Sequence, residues 1–202
     1  MEAGLEKPKV CGTCGAAVDG VLRCPCKAVF YCNTRCQKAS WKEHRKECTF
    51  DLERKLEQKR GRDEGNERSI AIFELCGKLG CLYEQHDLFK DAEEMYLEAL
   101  GIAVALQGEW SENVAILSAN LGNIYVQQER MDDALRMYKR ALRVCRRVHG
   151  DESGQVALNL CNVGICLRRK GDERAMAKYE EAHAIYVALH GGEDYERVGM
   201  VL

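Results

Sequence analysis

Long hydrophobic runs are missing from this chain. No stretch of the 202 residues approaches the roughly 18 apolar residues that a membrane span requires. Residues 1–10 likewise lack the apolar run of a signal peptide. No membrane partner is expected, and a cytoplasmic or nuclear location is. A surplus of one charge is missing too: 30 lysines and arginines face 32 acidic residues, for a net charge of −2. Without a global basic field to recruit polyphosphate, no nucleic-acid partner is expected. The local signatures of catalysis are also absent, since no glycine-rich phosphate loop, G-x-S-x-G elbow or H-E-x-x-H pair occurs. His86, His149, His183 and His190 have no carboxylate or cysteine at ligand spacing, and Met95, Met131, Met137 and Met176 fall at core or helix-start positions. The chain reads as non-enzymatic.

Cysteine, by contrast, is abundant, with 12 residues. Seven of them fall with one histidine in four close pairs: Cys11 and Cys14, Cys24 and Cys26, Cys32 and Cys36, His44 and Cys48. Thiolate and imidazole are the donors that tetrahedral zinc prefers, and a closed structural site takes four of them. Eight donors therefore predict two zinc ions with no coordination position left for a substrate. A disulfide framework would leave one cysteine unpaired and His44 unexplained. Spacing permits two ways of sharing the pairs: alternate pairs on each ion, or consecutive pairs forming two separate knuckles.

Tyr31-Cys32, Cys36-Gln37 and Trp41, three residues before His44, make this stretch resemble a MYND-type zinc finger. The departure is Cys24-Pro25-Cys26, one residue tighter than that family's second pair. The HIT-type finger also carries Cys-Pro there, but Cys36-Gln37 and Trp41 favour MYND. The resemblance implies the interleaved assignment. Cys11, Cys14, Cys32 and Cys36 hold one zinc, and Cys24, Cys26, His44 and Cys48 hold the other. It also implies that the finger docks short peptides, often proline-rich, and does not read DNA. Lys42, Arg45 and Lys46 then form a solvated helix face, and residues from about 37 to 47 have helical character.

Residues 49–69 are charge-dense and of mixed sign, with a thin apolar stripe of Phe50, Leu52 and Leu56. They predict a short helix to about Arg60 and a joint at 61–66. The basic residues Lys59, Arg60 and Arg62 read as solvated linker. Beyond them the sequence repeats itself. Leu79-Gly80-x2-Tyr83, Leu121-Gly122-x2-Tyr125 and Val163-Gly164-x2-Leu167 are each followed by alanine, tyrosine and alanine: Ala92, Tyr96, Ala99; Ala134, Tyr138, Ala141; Ala175, Tyr179, Ala182. Gly80, Gly122 and Gly164 stand 42 apart, and the third unit is one residue short before Ala175. Small residues let paired helices approach, tyrosine fills the space they leave, and stacked pairs bury a core that no single pair forms alone. The expected pairs are 70–85 with 91–106, 113–128 with 131–149, and 155–170 with 173–190. Gly108, Gly150 and Gly191 follow the second helices as expected terminators.

This pattern resembles the tetratricopeptide repeat, and the 42-residue period resembles the kinesin-light-chain type. The fold class expected is mainly α: a small two-zinc finger joined to an α-solenoid of three helix pairs. Its parts are a flexible N-terminus (1–10), the finger (11–48), a charged linker (49–69) and the repeats (70–202). Residues 194–202 begin another first helix and finish on Val198, Met200, Val201 and Leu202 where a polar cap is usual. Two expectations follow: the chain is a fragment, or this end self-associates.

The first helix of each pair lines the concave face of such an array. Asn120, Asn123 and Gln127 form a polar stripe in the middle unit, and Asn162, Arg168 and Arg169 follow in the third; Lys78, Cys81 and Gln85 stand in the first. Carboxamides hydrogen-bond an extended peptide backbone and arginines hold its acidic side chains. The resemblance implies that the matching asparagines line a peptide groove. The remaining cysteines, Cys76, Cys81, Cys145, Cys161 and Cys166, lie in helical patterns and are expected to be buried thiols. The function expected is a protein-interaction adaptor that docks peptides through finger and groove. Linkage of the two would raise effective concentration. The alternative is a relative of the MYND-containing SET-domain lysine methyltransferases lacking the catalytic domain.

Overall fold

Leu52 and Leu56, one helical turn apart, bury one side of the helix α1 (Thr49–Arg60) together with Cys48 and Thr49 just before and at its start. Phe50 faces solvent, so the buried stripe is narrower than the sequence implies. Lys59 and Arg60 occupy the last turn, where cations complement the negative end of the helix dipole. This computed structural model describes residues 22–23, 30–31, 35, 40, 48–60 and 66–190. The chain divides into two compact units, Met1–Arg62 and Asp63–Leu202. Besides α1, the first unit contains a short antiparallel hairpin of β1 (Leu22–Arg23) and β2 (Phe30–Tyr31), with Leu22 opposite Tyr31 and Arg23 opposite Phe30.

Six helices make up the described part of the second unit: α2 (Asn66–Gln85), α3 (Phe89–Gln107), α4 (Glu112–Gln127), α5 (Met131–His149), α6 (Gly154–Arg169) and α7 (Arg174–His190). The main contacts run from each helix to the next in sequence, as a repeat stack requires. The described residues are mainly α, and those of the second unit form an α-solenoid of three helix pairs. The helix α2 begins at Asn66, four residues earlier than the periodicity from Ile70 suggests.

Serine opens the first helix of the second and third pairs. Ser111 and Ser153 accept from the backbone N–H of Val114 and Val156 at 3.4 and 3.3 Å, which satisfies a donor the helix itself cannot. Within each pair the turn is built one way. Asp87, Glu129 and Gly171 adopt φ of 57°, 61° and 70°. The next residue's N–H then reaches back to the carbonyl of Tyr83, Tyr125 or Leu167 at 2.8–2.9 Å, a left-handed helix end that pairs otherwise orphaned carbonyls. Gly108 and Gly150 end α3 and α5 at φ of +83°, and the expected terminator Gly191 lies outside the described residues.

Within each pair a tyrosine ring lies on a glycine. A Cβ placed on Gly80, Gly122 or Gly164 would stand 2.6, 2.6 or 2.7 Å from the ring of Tyr96, Tyr138 or Tyr179. The glycine thus makes room for an aromatic face as well as for a neighbouring backbone. Ala92, Ala134 and Ala175 and then Ala99, Ala141 and Ala182 are buried on either side of these rings. One buried residue breaks the pattern. Asn159 occupies the position that Leu75 and Leu117 hold in the other pairs. Its Nδ2 donates to the Gln155 carbonyl at 2.8 Å, while its Oδ1 has no partner among the described residues.

Gly122→Ala should therefore force the Tyr138 ring aside and cost about 1–3 kcal/mol, the usual range for overpacking. Urea denaturation checks this, and the control Gly101→Ala, at a position with nothing within 4 Å, should leave stability unchanged or slightly raised.

Candidate functional site

Helix periodicity puts Asn120, Asn123 and Gln127 on one side of α4, while Leu117, Leu121, Ile124 and Tyr125 on the other sides are buried. Asn120 is half-buried, and Asn123 and Gln127 are exposed. Asn123 is held in place: its Oδ1 accepts from the Tyr138 hydroxyl at 2.6 Å, which leaves its N–H groups to donate elsewhere. The same ring that rests on Gly122 therefore orients the neighbouring carboxamide. On α6, Asn162 is half-buried, and Arg168 and Arg169 are exposed in the last turn. The stripe contains two further residues that the polar reading passed over. Ile116 and Leu158, one turn before Asn120 and Asn162, are 49% and 54% exposed. Their signal was available, since both are apolar, 42 apart and outside the buried Leu-Gly-Tyr pattern.

The three tyrosine hydroxyls meet different neighbours, because the residue after each glycine and the one three further on differ among the pairs. Beside Gly80 stands Cys81, and Tyr96 donates to Glu84 Oε2 at 2.9 Å with Cys81 Sγ at 3.3 Å. Burial, and then the Cys81 contact, push the Tyr96 phenol well above its ordinary pKa. Beside Gly122 stands Asn123. Beside Gly164 stands Ile165, which can accept nothing, and the buried Tyr179 hydroxyl has no partner among the described residues.

Four of the five cysteines outside the finger, Cys76, Cys145, Cys161 and Cys166, are buried; Cys81 is exposed. The expectation of a buried thiol fails there because Cys81 shares the open stripe of the first helix with Lys78 and Gln85, the positions that Asn120, Asn123 and Gln127 fill one repeat later. Burial raises the thiol pKa of Cys145, Cys161 and Cys166, the last to about 11, and keeps them protonated.

Of the eight expected metal ligands, Cys11, Cys14, Cys24, Cys26, Cys32, Cys36 and His44 lie outside the described residues. Cys48 is described and fully buried. Among the described residues no group of three or more histidine, cysteine, aspartate or glutamate side chains could hold a metal ion. The hairpin constrains the first unit's chain path. β1 ends at Arg23, opposite Phe30, and β2 ends at Tyr31, opposite Leu22.

Two family matches cover these regions: residues 11–48 match the MYND finger, and residues 113–188 match the tetratricopeptide repeat. The chain carries a MYND finger and tetratricopeptide repeats. The first helix pair lies outside the repeat match, yet its Gly80 and Tyr96 make the same contact as their counterparts. Among solved structures, BtubC (BKLC) from P. vanneervenii is similar with a TM-score of 0.66 and 25% identity, covering 84% of this chain and 68% of that one. A Podosopora anserina putative kinesin light chain with nearly identical TPR-like repeats gives 0.58 at 15% identity, covering 77% and 72%, a likeness of fold. Among curated proteins, the N-lysine methyltransferase SMYD2-A of Xenopus laevis is 42% identical over 45 residues, 22% of this chain and 10% of that protein. SMYD2 of Gallus gallus is 43% identical over 44 residues, 21% and 10%. The matches are confined to the finger region and span about a tenth of the methyltransferases' length. The MYND finger is a zinc-binding domain, and both it and the repeats mediate protein–protein interactions. No helix among the described residues is long and apolar enough to cross a membrane.

The partner difference predicts opposite responses to one substitution. Tyr138→Phe removes the hydroxyl that grips Asn123 and should cost about 1 kcal/mol. Tyr179→Phe removes a hydroxyl that has no partner among the described residues and should leave stability unchanged or raised. Thermal unfolding of the two variants side by side reads the contrast.

Proposed function

We propose that the protein is a non-catalytic adaptor that docks peptides at two places, the finger and the stripe formed by the first helices of its repeats. The observation that carries the second site is the Tyr138 hydrogen bond to Asn123. A surface carboxamide is ordinarily free to rotate; this one is held by a buried ring, and preorganised donors lose less entropy on binding. Asn120, Gln127 and Asn162 supply further carboxamides for a peptide backbone, and Arg168 and Arg169 supply cations for acidic side chains. Peptides selected from a random library against the full chain should bind Asn120→Ala/Asn162→Ala at least about tenfold more weakly, a loss of about 1.4 kcal/mol. Equal binding by fluorescence polarisation would place the docking site elsewhere.

In the finger we propose two zinc ions, with Cys11, Cys14, Cys32 and Cys36 on one and Cys24, Cys26, His44 and Cys48 on the other. The alternate-pair assignment rests on the likeness of residues 11–48 to the MYND finger. The buried position of Cys48 also suits a closed structural site, which excludes solvent from its thiolates. Zinc would supply the finger's folding free energy, on the order of 10–16 kcal/mol per site at neutral pH, and the finger would then present a surface to short peptides, including proline-rich ones. A cytoplasmic or nuclear protein fits this use of cysteine. The methyltransferase alternative is less favoured, since the likeness to those enzymes stops at the finger.

Native mass spectrometry should give two zinc ions per chain. Chelation should remove both and leave the helical circular-dichroism signal of the repeats in place. Cys32→Ser should unfold the finger alone. One ion, or collapse of the helices with the metal, would overturn the two-site, two-module reading.

A further inference from the structure

The second helices of the three pairs carry equivalent solvent positions, and the middle one differs in charge. On α3 these positions hold Lys90, Glu94, Leu97, Gly101 and Ala105. On α7 they hold Glu173, Ala177, Glu180, Ala184 and Ala188. On α5 they hold Asp132, Arg136, Lys139, Arg143 and Arg147. All four basic side chains are exposed. Arg136 is paired with Asp133. The neighbouring Arg140 holds both oxygens of Glu109, at 2.9 and 2.6 Å. Arg140, and to a lesser degree the field of Arg143, keep the Glu109 carboxyl below its ordinary pKa. No ion pair joins Lys139, Arg143 or Arg147 to a carboxylate among the described residues. The Arg147 guanidinium lies 5.9 Å from the centroid of Trp110, a tryptophan 54% exposed, and Val148 beside it is exposed as well.

We propose that the solvent face of α5 is a second docking surface, separate from the first-helix stripe, for an acidic polypeptide segment lying along the helix. Lys139, Arg143 and Arg147 recur every four residues, about 6 Å apart along the axis. Carboxylates four apart on a helix, or two apart on an extended strand, repeat at nearly the same distance. Trp110 and Val148 at one end offer an apolar contact, and aromatic and arginine side chains are the residue types that dominate docking energetics. The width of the surface decides against broader polyanions. Equivalent positions on α3 and α7 bear Glu94, Glu173 and Glu180, so an anionic membrane laid across the three helices would meet carboxylates as well as the basic row. The chain's net charge of −2 likewise gives no long-range attraction for nucleic acid. The pairing of long cations with Gly101, Ala105, Ala184 and Ala188 at the flanking positions leaves Arg143 and Arg147 open to a narrow ligand.

The test uses the full chain and a labelled helical peptide with glutamate at every fourth position and one leucine at its end, against the same peptide with glutamine. The glutamate peptide should bind with an affinity that falls as salt rises, and Arg143→Glu/Arg147→Glu should weaken it at least about tenfold. The same variant should keep its circular-dichroism spectrum and its affinity for peptides selected on the first-helix stripe, which separates failure here from failure of that reading. Four results would overturn the proposal: no binding of the glutamate peptide up to about 1 mM, equal binding of the glutamine peptide, unchanged affinity in the variant, or binding of oligothymidine or phosphatidylserine vesicles in place of the peptide.

Discussion

An aromatic ring seated on a bare backbone is the contact from which the second unit is built. Three times in this chain a glycine on the first helix of a pair gives up its side chain, and a tyrosine from the second helix occupies the room. The contact sets how near the two helices come, and so which flanking residues are small, which are buried and which are left facing water. The alanines before and after each tyrosine are consequences of that spacing, because a larger residue would hold the helices apart and lift the ring from its seat. Interiors are packed densely enough that such a requirement propagates to neighbours.

The ring also connects the core to the surface. Tyr138 has its face on Gly122 and its hydroxyl on Asn123, so the same side chain that closes the pair also sets the orientation of a group at the edge of the candidate groove. In the first pair the hydroxyl engages Glu84 and Cys81, and in the third it engages nothing among the described residues. Repeats that look alike in their cores thereby present different chemistry outward. Variation at two positions, the residue after the glycine and the one that Glu84 fills in the first pair, is enough to do it.

Much of this was legible in the sequence, for a definite reason. Gly80, Gly122 and Gly164 keep a 42-residue register with their tyrosines, and a register of that kind survives only where each residue has a packing role. The ends of α3 and α5 followed from the chemistry of Gly108 and Gly150; the serines that open α4 and α6 were not read. Side-chain partnerships were not legible, because Tyr138 and Asn123 meet across two helices and depend on rotamers that a pattern does not encode. Cys81 looked like a core thiol because its neighbours are apolar, yet the rotation of α2 that turns Gly80 inward leaves Cys81 outward. Ile116 and Leu158 were passed over because attention to polar residues hides exposed apolar ones. The row of cations on α5 was visible as letters, but which of them lack a carboxylate depends on where Glu109 and Asp133 fold. The zinc ligands were read from spacing and resemblance, and apart from Cys48 they lie outside the described residues.

Among the described residues, the Asn159 oxygen and the Tyr179 hydroxyl of the third pair are buried without a mate, where the second pair has Leu117 and a completed Tyr138–Asn123 hydrogen bond. Stacked units melt by their weakest neighbour. Amide protons of α6 and α7 would then exchange ahead of those of α4 and α5. Arg168 and Arg169, on the loosening pair, would lose their alignment with the carboxamides of α4 before the core around Tyr138 gave way, so grip on a ligand would fade at one edge while the middle of the array still held.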